Sequence, residues 1–539
     1  MLFIIKQQYK LIVQYILVVF TLWIINIFTP YLSGLYIDHL VSGMEINIFV
    51  LFVIVIAATN FIQMLFRYLQ AVVSTKLSYK MVYQFSNGIF QKIFCSEYKN
   101  YSNIDSAYYI DQISKDTNTI VGFFTSNVVN FFLQVATVIM SAVIVFWADR
   151  TLSTIILSLI PFYILTFVIN KRKMYEAKAQ AKQKSNEYFS RYSEQITKLS
   201  YIKRNVLNYE MEKRLEESFK KMIHAALHSV SVDYIFMNLN QFVIIIAYLC
   251  IVGIGGYKVS VGELSIGYFS IINTYFNMII QSVSFFLGLA GTYQDTRVSF
   301  QRIKKIMDES KEKIGNTVLD NVHKIVVKNL SVQYGEQSIL KNCSYEFYAE
   351  KIYGICGQNG GGKTTLLNAI MGLFSGEYSG EIFYDDVQLS KLNMYQMRRT
   401  KLSYLEQDPV LFNMPVRDYL QFGIEMNEKI LHNQEKLIKI FGIEYMLNKY
   451  MNENGANFSG GEKQKLSIIR ALSKESSVVL LDEPTSALDK ESINQLIGFL
   501  HEKKDKAVVL LISHDPYVLK KCDAIIDIQQ FKKENETII

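Results

Sequence analysis

A multidomain chain is expected, in which an all-α domain of six transmembrane helices precedes an α/β domain, and three observations lead there. The 539 residues are 50% hydrophobic and only 19% charged, too apolar for a wholly soluble chain and too polar for a wholly membrane-embedded one. Six stretches of the first half hold no Asp, Glu, Lys or Arg, whereas the second half alternates short β-branched runs with helical patterns. Charge divides at the same place: residues 1–310 carry 28 Lys and Arg against 19 Asp and Glu, and the remainder 28 against 30. A basic excess lying between long apolar runs follows from membrane topology, so no nucleic-acid partner is expected. The five cysteines are odd in number and lack metal-ligand spacing, which argues against a disulfide framework or a zinc site.

The charge-free runs are residues 11–37, 46–66, 117–148, 151–170, 234–257 and 264–294. Each reaches the about 20 residues that an α-helix needs to cross hydrocarbon while satisfying its own backbone. Buried helices of a soluble core usually keep a polar face, which these lack. Spans are therefore placed at about 11–37, 46–66, 120–147, 151–170, 234–257 and 264–291, within a first domain of residues 1–310. The first run exceeds the apolar core of a signal peptide and should remain in the mature protein. Segments 67–116 and 171–233 are long and basic, with fourteen Lys or Arg within 171–221, while the other links are short and almost uncharged. By the positive-inside rule both long segments, both termini and everything after residue 295 are cytoplasmic. Segments of that length can descend as helices, turn and climb back, as levers. No ionisable residue lies inside a span, which argues against ion translocation through fixed charges. Asn127, Asn130, Gln134, Asn238, Asn240, Gln241, Tyr275, Asn277, Gln281 and Phe285 either line a cavity for an amphiphile or pack the helices together, and both readings stay open.

A polar connector, residues 300–317, leads to a second domain at 318–539. The β-branched runs at 325–327, 351–355, 478–481 and 508–512 suggest an α/β domain with a largely parallel sheet. Gly357-Gln358-Asn359-Gly360-Gly361-Gly362-Lys363-Thr364 fits GxxxxGK[ST] and follows the apolar run 353–356. Glycines let the backbone fold tightly so that its N–H groups and the next helix's N-terminus face an anion. A P-loop NTPase is thus expected, with Gly357, Asn359, Gly360, Gly361, Gly362, Lys363, Thr364 and Thr365 around ATP and Thr364 toward Mg²⁺. The run 478–481 ends in Asp482-Glu483, where Asp482 would hold Mg²⁺ and Glu483 would polarise the attacking water.

Between these two elements stands Asn457-Phe458-Ser459-Gly460-Gly461-Glu462-Lys463-Gln464, and with it the second half resembles the ATP-binding cassette (ABC) family over most of residues 320–530. The resemblance makes Tyr334 the aromatic that stacks on adenine and Gln407 the Q-loop residue serving both metal and catalysis. Ser459-Gly460-Gly461-Glu462 becomes the signature, Ser486-Ala487-Leu488-Asp489 the D-loop and His514 the switch histidine. Phe458 and Glu462 depart from the commonest form, LSGGQ, which puts the rate in doubt.

Six spans ahead of one cassette resemble an exporter-type ABC half-transporter, with coupling helices expected at 104–119 and 199–210. That resemblance implies a dimer with a second copy or a homologous partner. Each ATP then lies between the P-loop of one subunit and the signature of the other. It also implies ATP-driven export across a cell membrane, with a bacterial source. Glu453-Asn454-Gly455-Ala456-Asn457-Phe458-Ser459-Gly460-Gly461 is similar to forms in bacterial peptide and bacteriocin exporters, so a peptide is the first expectation. Hydrophobic drugs or lipids are the alternative, as is a membrane sensor or immunity protein that does not transport. The chain starts almost at its first span, so removal of any peptide leader is expected to fall to another enzyme.

Overall fold

A computed structural model describes residues 6–101, 106–334, 337–374 and 377–530, which divide into two compact units. The first, Met1–Phe90 with Ile110–Lys305, is all helix. Its elements are α1 (Tyr9–Val41), α2 (Ile46–Phe94), α3 (Ser106–Phe123), α4 (Val129–Ala148), α5 (Arg150–Thr197), α6 (Leu199–Asn205), α7 (Asn208–Ser260) and α8 (Ile266–Met307). Six helices are long and apolar enough to cross a membrane, α3 and α4 counting as one.

The helices far outrun the apolar runs that announced them: α5 has 48 residues and α7 has 53. Residues 171–233 contain neither Gly nor Pro, so nothing breaks the i to i−4 ladder where the side chains turn polar. The turn between them is made instead by α6 and by Val206, held at φ 55° while the Leu207 N–H donates to the Ile202 carbonyl at 3.1 Å. A β-branched residue in the left-handed region is strained, and it ends α6 two residues before α7 begins. Of the expected coupling segment 199–210, only 199–205 forms a separate helix, and residues 208–210 already belong to α7. In the other expected segment, residues 104 and 105 lie outside the described residues, and the rest is the start of α3.

Close approaches fix the helices of this unit. A Cβ built on Gly267 of α8 would stand 2.1 Å from the Gly34 carbonyl oxygen of α1, so the two backbones pack where only glycine fits. Asp38 of α1 then caps α8, accepting from the Gly267 N–H and the Ser265 hydroxyl, each at 2.6 Å. Asp116 is 2% exposed and accepts from the Ser299 hydroxyl and the Arg302 guanidinium, both at 2.8 Å, so its charge is buried with partners. Between α3 and α4 the chain forms a π turn, Phe124–Val128, and the Tyr15 hydroxyl donates to the Thr125 carbonyl there at 3.1 Å.

The second unit joins Gln91–Tyr109 to the chain from Ile306 onward. The Glu312 N–H donates to the Cys95 carbonyl at 2.9 Å, and the Lys92 ammonium to the Glu309 carbonyl at 2.7 Å. Two sheets follow. β1 (Lys324–Tyr334), β2 (Gln337–Tyr348), β4 (Glu377–Tyr384) and β5 (Val387–Gln388) form an antiparallel sheet in the order β2-β1-β4-β5. β3 (Ile352–Cys356), β6 (Leu402–Leu405), β7 (Val478–Asp482), β8 (Val508–Ile512) and β9 (Ala524–Asp527) form a parallel sheet in the order β6-β7-β8-β3-β9. The parallel sheet agrees with the sequence expectation, but the run 325–327 does not belong to it. It sits in β1, whose two antiparallel neighbours mark a separate sheet. The helices of this unit are α9 (Lys363–Ile370), α10 (Met394–Thr400), α11 (Val416–Gln421), α12 (Glu428–Phe441), α13 (Gly460–Ser473), α14 (Lys490–Lys504) and α15 (Pro516–Leu519).

Candidate functional site

In a parallel sheet all strands end on one side, and ligands bind beyond those ends. Here the adjacent strands β6, β7, β8 and β3 deliver in turn Gln407, Asp482 with Glu483, His514, and the loop 357–362. The loop is built by glycines in the left-handed region, Gly357 at φ 139°, Gly360 at 71° and Gly362 at 95°. A Cβ on Gly362 would meet Leu340 at 2.8 Å, so β2 braces the loop from behind. Gly362 is also the N-cap of α9, which aims its first N–H groups and partial positive charge at the loop. Lys363, 7% exposed, folds over this cradle and donates to the carbonyls of Gly357 and Gln358 at 3.0 and 3.2 Å. Asn359 is exposed at the loop's tip, Gly361 is buried, and Thr365 lies half-buried in the first turn of α9. Tyr334, half-buried, ends β1 opposite Gln337 of β2, the strand that also supplies Leu340.

Thr364 and Asp482 converge, the Thr364 hydroxyl donating to Asp482 Oδ2 at 2.6 Å. Among the described residues no three His, Cys, Asp or Glu gather to hold a metal by themselves. A hydroxyl and a carboxylate side by side fit Mg²⁺ arriving with nucleotide phosphates, which would supply the remaining oxygens and have its charge shared there. Asp482 is 2% exposed, and burial pushes its carboxyl up from the ordinary range against the opposing hydrogen bond of Thr364. A carboxyl raised by folding is fully compatible with the fold only while protonated, and its ionisation costs stability as pH rises through the folded value. At neutral pH, Asp482→Asn should therefore raise the melting temperature of the nucleotide-free protein in EDTA, by about 1 kcal/mol in stability, while removing Mg²⁺-dependent turnover. A lower melting temperature, read by scanning fluorimetry, would contradict it.

Glu483 follows at φ 47°, a left-handed conformation that costs a non-glycine residue energy and is held by its N–H donating to the Ile512 carbonyl at 3.1 Å. Its carboxylate is gripped from two sides: Gln407 Nε2 donates to Oε2 at 3.3 Å, and His514 Nε2 lies 3.4 Å from Oε1. The three residues expected to act on water thus meet in one cluster beside the Thr364 and Asp482 pair.

The signature residues are assembled elsewhere. Ser459 is the N-cap of α13, its hydroxyl accepting from the Glu462 N–H, while Glu462 accepts from the Ser459 N–H at 2.8 Å. In that reciprocal capping box the Ser459 N–H holds the Glu462 carboxyl below the usual range, and the Tyr445 hydroxyl donates to the same carboxylate at 2.9 Å. Gly461 faces the D-loop, where a Cβ would stand 2.9 Å from the Ala487 carbonyl oxygen, and Gly460 lies against Ala487 as well. Asp489 caps α14 by accepting from the Ser492 N–H, and the Ser492 hydroxyl together with that N–H holds its carboxyl below the usual range. None of the described hydrogen bonds or ion pairs links Ser459, Gly460, Gly461 or Glu462 to the loop 357–362.

Comparison with known families agrees with this arrangement. The model of the ABC transporter transmembrane region matches residues 11–283, half of the chain, and the ABC transporter model matches residues 340–486. The chain belongs to the ABC transporters. It is a multi-pass membrane protein of the exporter type, with a cytoplasmic domain that binds and hydrolyses ATP to drive transport. An ATP-dependent lipid A-core flippase of Syntrophus aciditrophicus is 24% identical over 468 residues, 85% of this chain and 78% of that one. The lactococcin-G-processing and transport ATP-binding protein LagD of Lactococcus lactis is 25% identical over 77% of this chain and 60% of its own length. The multidrug resistance-like protein MdlA of Buchnera aphidicola is 25% identical over 97% and 92%. A bacterial Atm1-family ABC exporter with ATP bound shares the fold, with a TM-score of 0.82 and 18% identity over 96% of this chain and 94% of that one.

Within this ABC transporter's membrane unit the ten polar and aromatic positions separate. Tyr275 is fully buried and donates to the Ile27 carbonyl, and Gln134 accepts from the Ser282 hydroxyl, so both serve helix packing. Asn130 and Asn277 bond to carbonyls one turn back in their own chain. Asn127 falls in the π turn, and Phe285 lies edge-on to Phe286. Asn238 and Gln281 are exposed. Asn240 and Gln241 line a cavity. Tyr445 was not legible as a site neighbour, because a 3₁₀ turn at Glu444–Met446 brings it to Glu462 across 17 residues with no local pattern to announce it. The same holds for Gln464, whose amide donates to the Pro484 carbonyl at 3.1 Å and ties α13 to the residue after Glu483.

Proposed function

We propose that this transporter works as a dimer that exports an amphipathic peptide across a bacterial cell membrane, using two ATP molecules sandwiched between cassettes. The observation carrying the dimer is the division of the site: P-loop, Asp482, Glu483, Gln407 and His514 form one cluster, while Ser459 to Glu462 form another that its own chain leaves apart. In the dimer, Lys363 and the N-terminus of α9 hold phosphate, Thr364 and Asp482 hold Mg²⁺, and Tyr334 stacks on adenine. The partner's signature closes the γ-phosphate side. Glu483, positioned by Gln407 and His514, takes the proton of the attacking water. Differential affinity of ATP for the closed dimer is the driver of the conformational change.

Peptide is favoured by the signature segment 453–461, similar to forms in peptide exporters, and by the LagD relative, whose name gives it lactococcin-G to process and transport. The flippase relative favours lipid as a second reading. In nanodiscs, hydrophobic peptides should raise ATPase turnover above the basal rate more than drugs or lipid A-type lipids do. The same peptides should accumulate in inside-out vesicles on addition of ATP. Stimulation by lipid alone would transfer the assignment to lipid, and stimulated ATPase without accumulation would mark a sensor.

A further inference from the structure

A cavity of about 860 Å³ opens among α5, α7 and α8. Phe236, Met237, Ile244 and Leu287 give it apolar lining, beside Gly288 and Gly291, which leave room by having no side chain. It is also lined by four ionisable groups, Lys178, Lys182, Asp233 and Asp295, contributed by all three helices. Asp233 and Asp295 immediately flank the charge-free runs 234–257 and 264–294, and Lys178 and Lys182 stand 8 and 12 residues past the run 151–170, so every ionisable group of the cavity lies outside those runs, while Asn240, Gln241 and Ser284 add neutral polar lining within them.

The four charges are not all spent on one another. Lys178 pairs with Asp233 at 3.2 Å through Oδ2, while Asp233 Oδ1 is buried without a hydrogen-bond partner. Among the described residues Lys182 and Asp295 form no ion pair with any neighbour, although they line the same cavity. Lys182 and Asp295 are exposed and free to meet a ligand, whereas Asp233 Oδ1 is a buried acceptor left open, which is costly unless a ligand or water completes it. The formal charges sum to zero, so a ligand of net charge would leave one sign uncompensated.

We propose that this cavity binds a zwitterionic, amphipathic short peptide, its ammonium between Asp295 and Asp233 Oδ1, its carboxylate at Lys182 and its apolar side chains against Phe236, Met237 and Leu287. The volume is that of a drug-sized ligand site. The assignment rests on the peptide reading above and specifies which ends of the substrate are recognised and by which residues.

The test uses the tripeptide Leu-Phe-Leu in three forms, with free ends, N-acetylated and C-amidated, binding by equilibrium dialysis to the full-length protein in nanodiscs. In the wild type, acetylation and amidation should each weaken binding about five-fold, the scale of a partly exposed charge pair. Asp295→Asn should reduce the cost of acetylation, since Asp233 alone then faces the ammonium, and keep that of amidation. Lys182→Gln should do the reverse, so the end cost that each variant keeps shows that its own protein is folded. Gly288→Trp, which fills the apolar wall, should abolish binding of all three forms. Capped and free peptides binding alike in the wild type, or end costs unchanged in both variants, would overturn the assignment. If that happened while peptides still accumulated in vesicles, the export reading would stand and only this site would fall. Failure of accumulation would remove the export reading itself.

Discussion

Lys363→Ala should abolish tight ATP binding, whereas Glu483→Gln should keep it while turnover falls by a factor on the order of 10² to 10³. The structure separates the two roles. Lys363 is buried over the loop with its ammonium on the carbonyls of Gly357 and Gln358, and only phosphate charge would draw it out toward the site. None of the described hydrogen bonds or ion pairs links Glu483 to the loop or to α9. Its carboxylate is held by Gln407 and approached by His514, and glutamine there keeps the shape but cannot accept a proton. Binding of a fluorescent ATP analogue and release of phosphate, measured on the same preparations, resolve the two steps. Equal loss of affinity in both variants would overturn the division of labour.

The second large effect concerns mixtures. Lys363→Ala alone and Ser459→Arg alone should each destroy both sites of a homodimer, the arginine by filling the space beyond the α13 N-terminus where γ-phosphate would sit. Co-assembled, the two variants yield hybrid dimers in which both lesions fall in one site and the other site is intact. Such hybrids should regain part of the ATPase activity. Were each subunit to build its site from its own residues, every site would carry a lesion and nothing would return. Differential tags isolate the hybrids, and vanadate-trapped nucleotide scores a site that is filled even when the pair turns over slowly. Absence of recovery in both readings would exclude the shared site.

The sequence carried the elements whose physics is local. A glycine-rich loop after an apolar strand and ahead of a helix can be read directly, because Gly357, Gly360 and Gly362 are needed where they stand. The spans were legible because hydrocarbon leaves no tolerance for charge. Other features arise only when distant segments meet. β1 looks in sequence like another parallel strand, yet it pairs antiparallel with β2 and β4, since a β-branched run specifies a strand and not its neighbours. The π turn at Phe124–Val128 is invisible because it holds no Gly, Pro or charge to mark a change of helix, and Tyr15 compensates from 110 residues away. The strained backbone at Glu483 has no signature at all in a strand ending in two acids.

The second unit is discontinuous, since Gln91–Tyr109 folds with the chain after Ile306. Exchange of ATPase domains between related transporters by one crossover therefore brings in a foreign surface against Cys95 and Lys92, whose partners are Glu312 and the Glu309 carbonyl. Two segments some two hundred residues apart are bound to change together, so a functional graft needs three junctions, and a gene fragment beginning at 306 encodes an incomplete object. Modularity in this protein belongs to the folded molecule and not to the order of its codons.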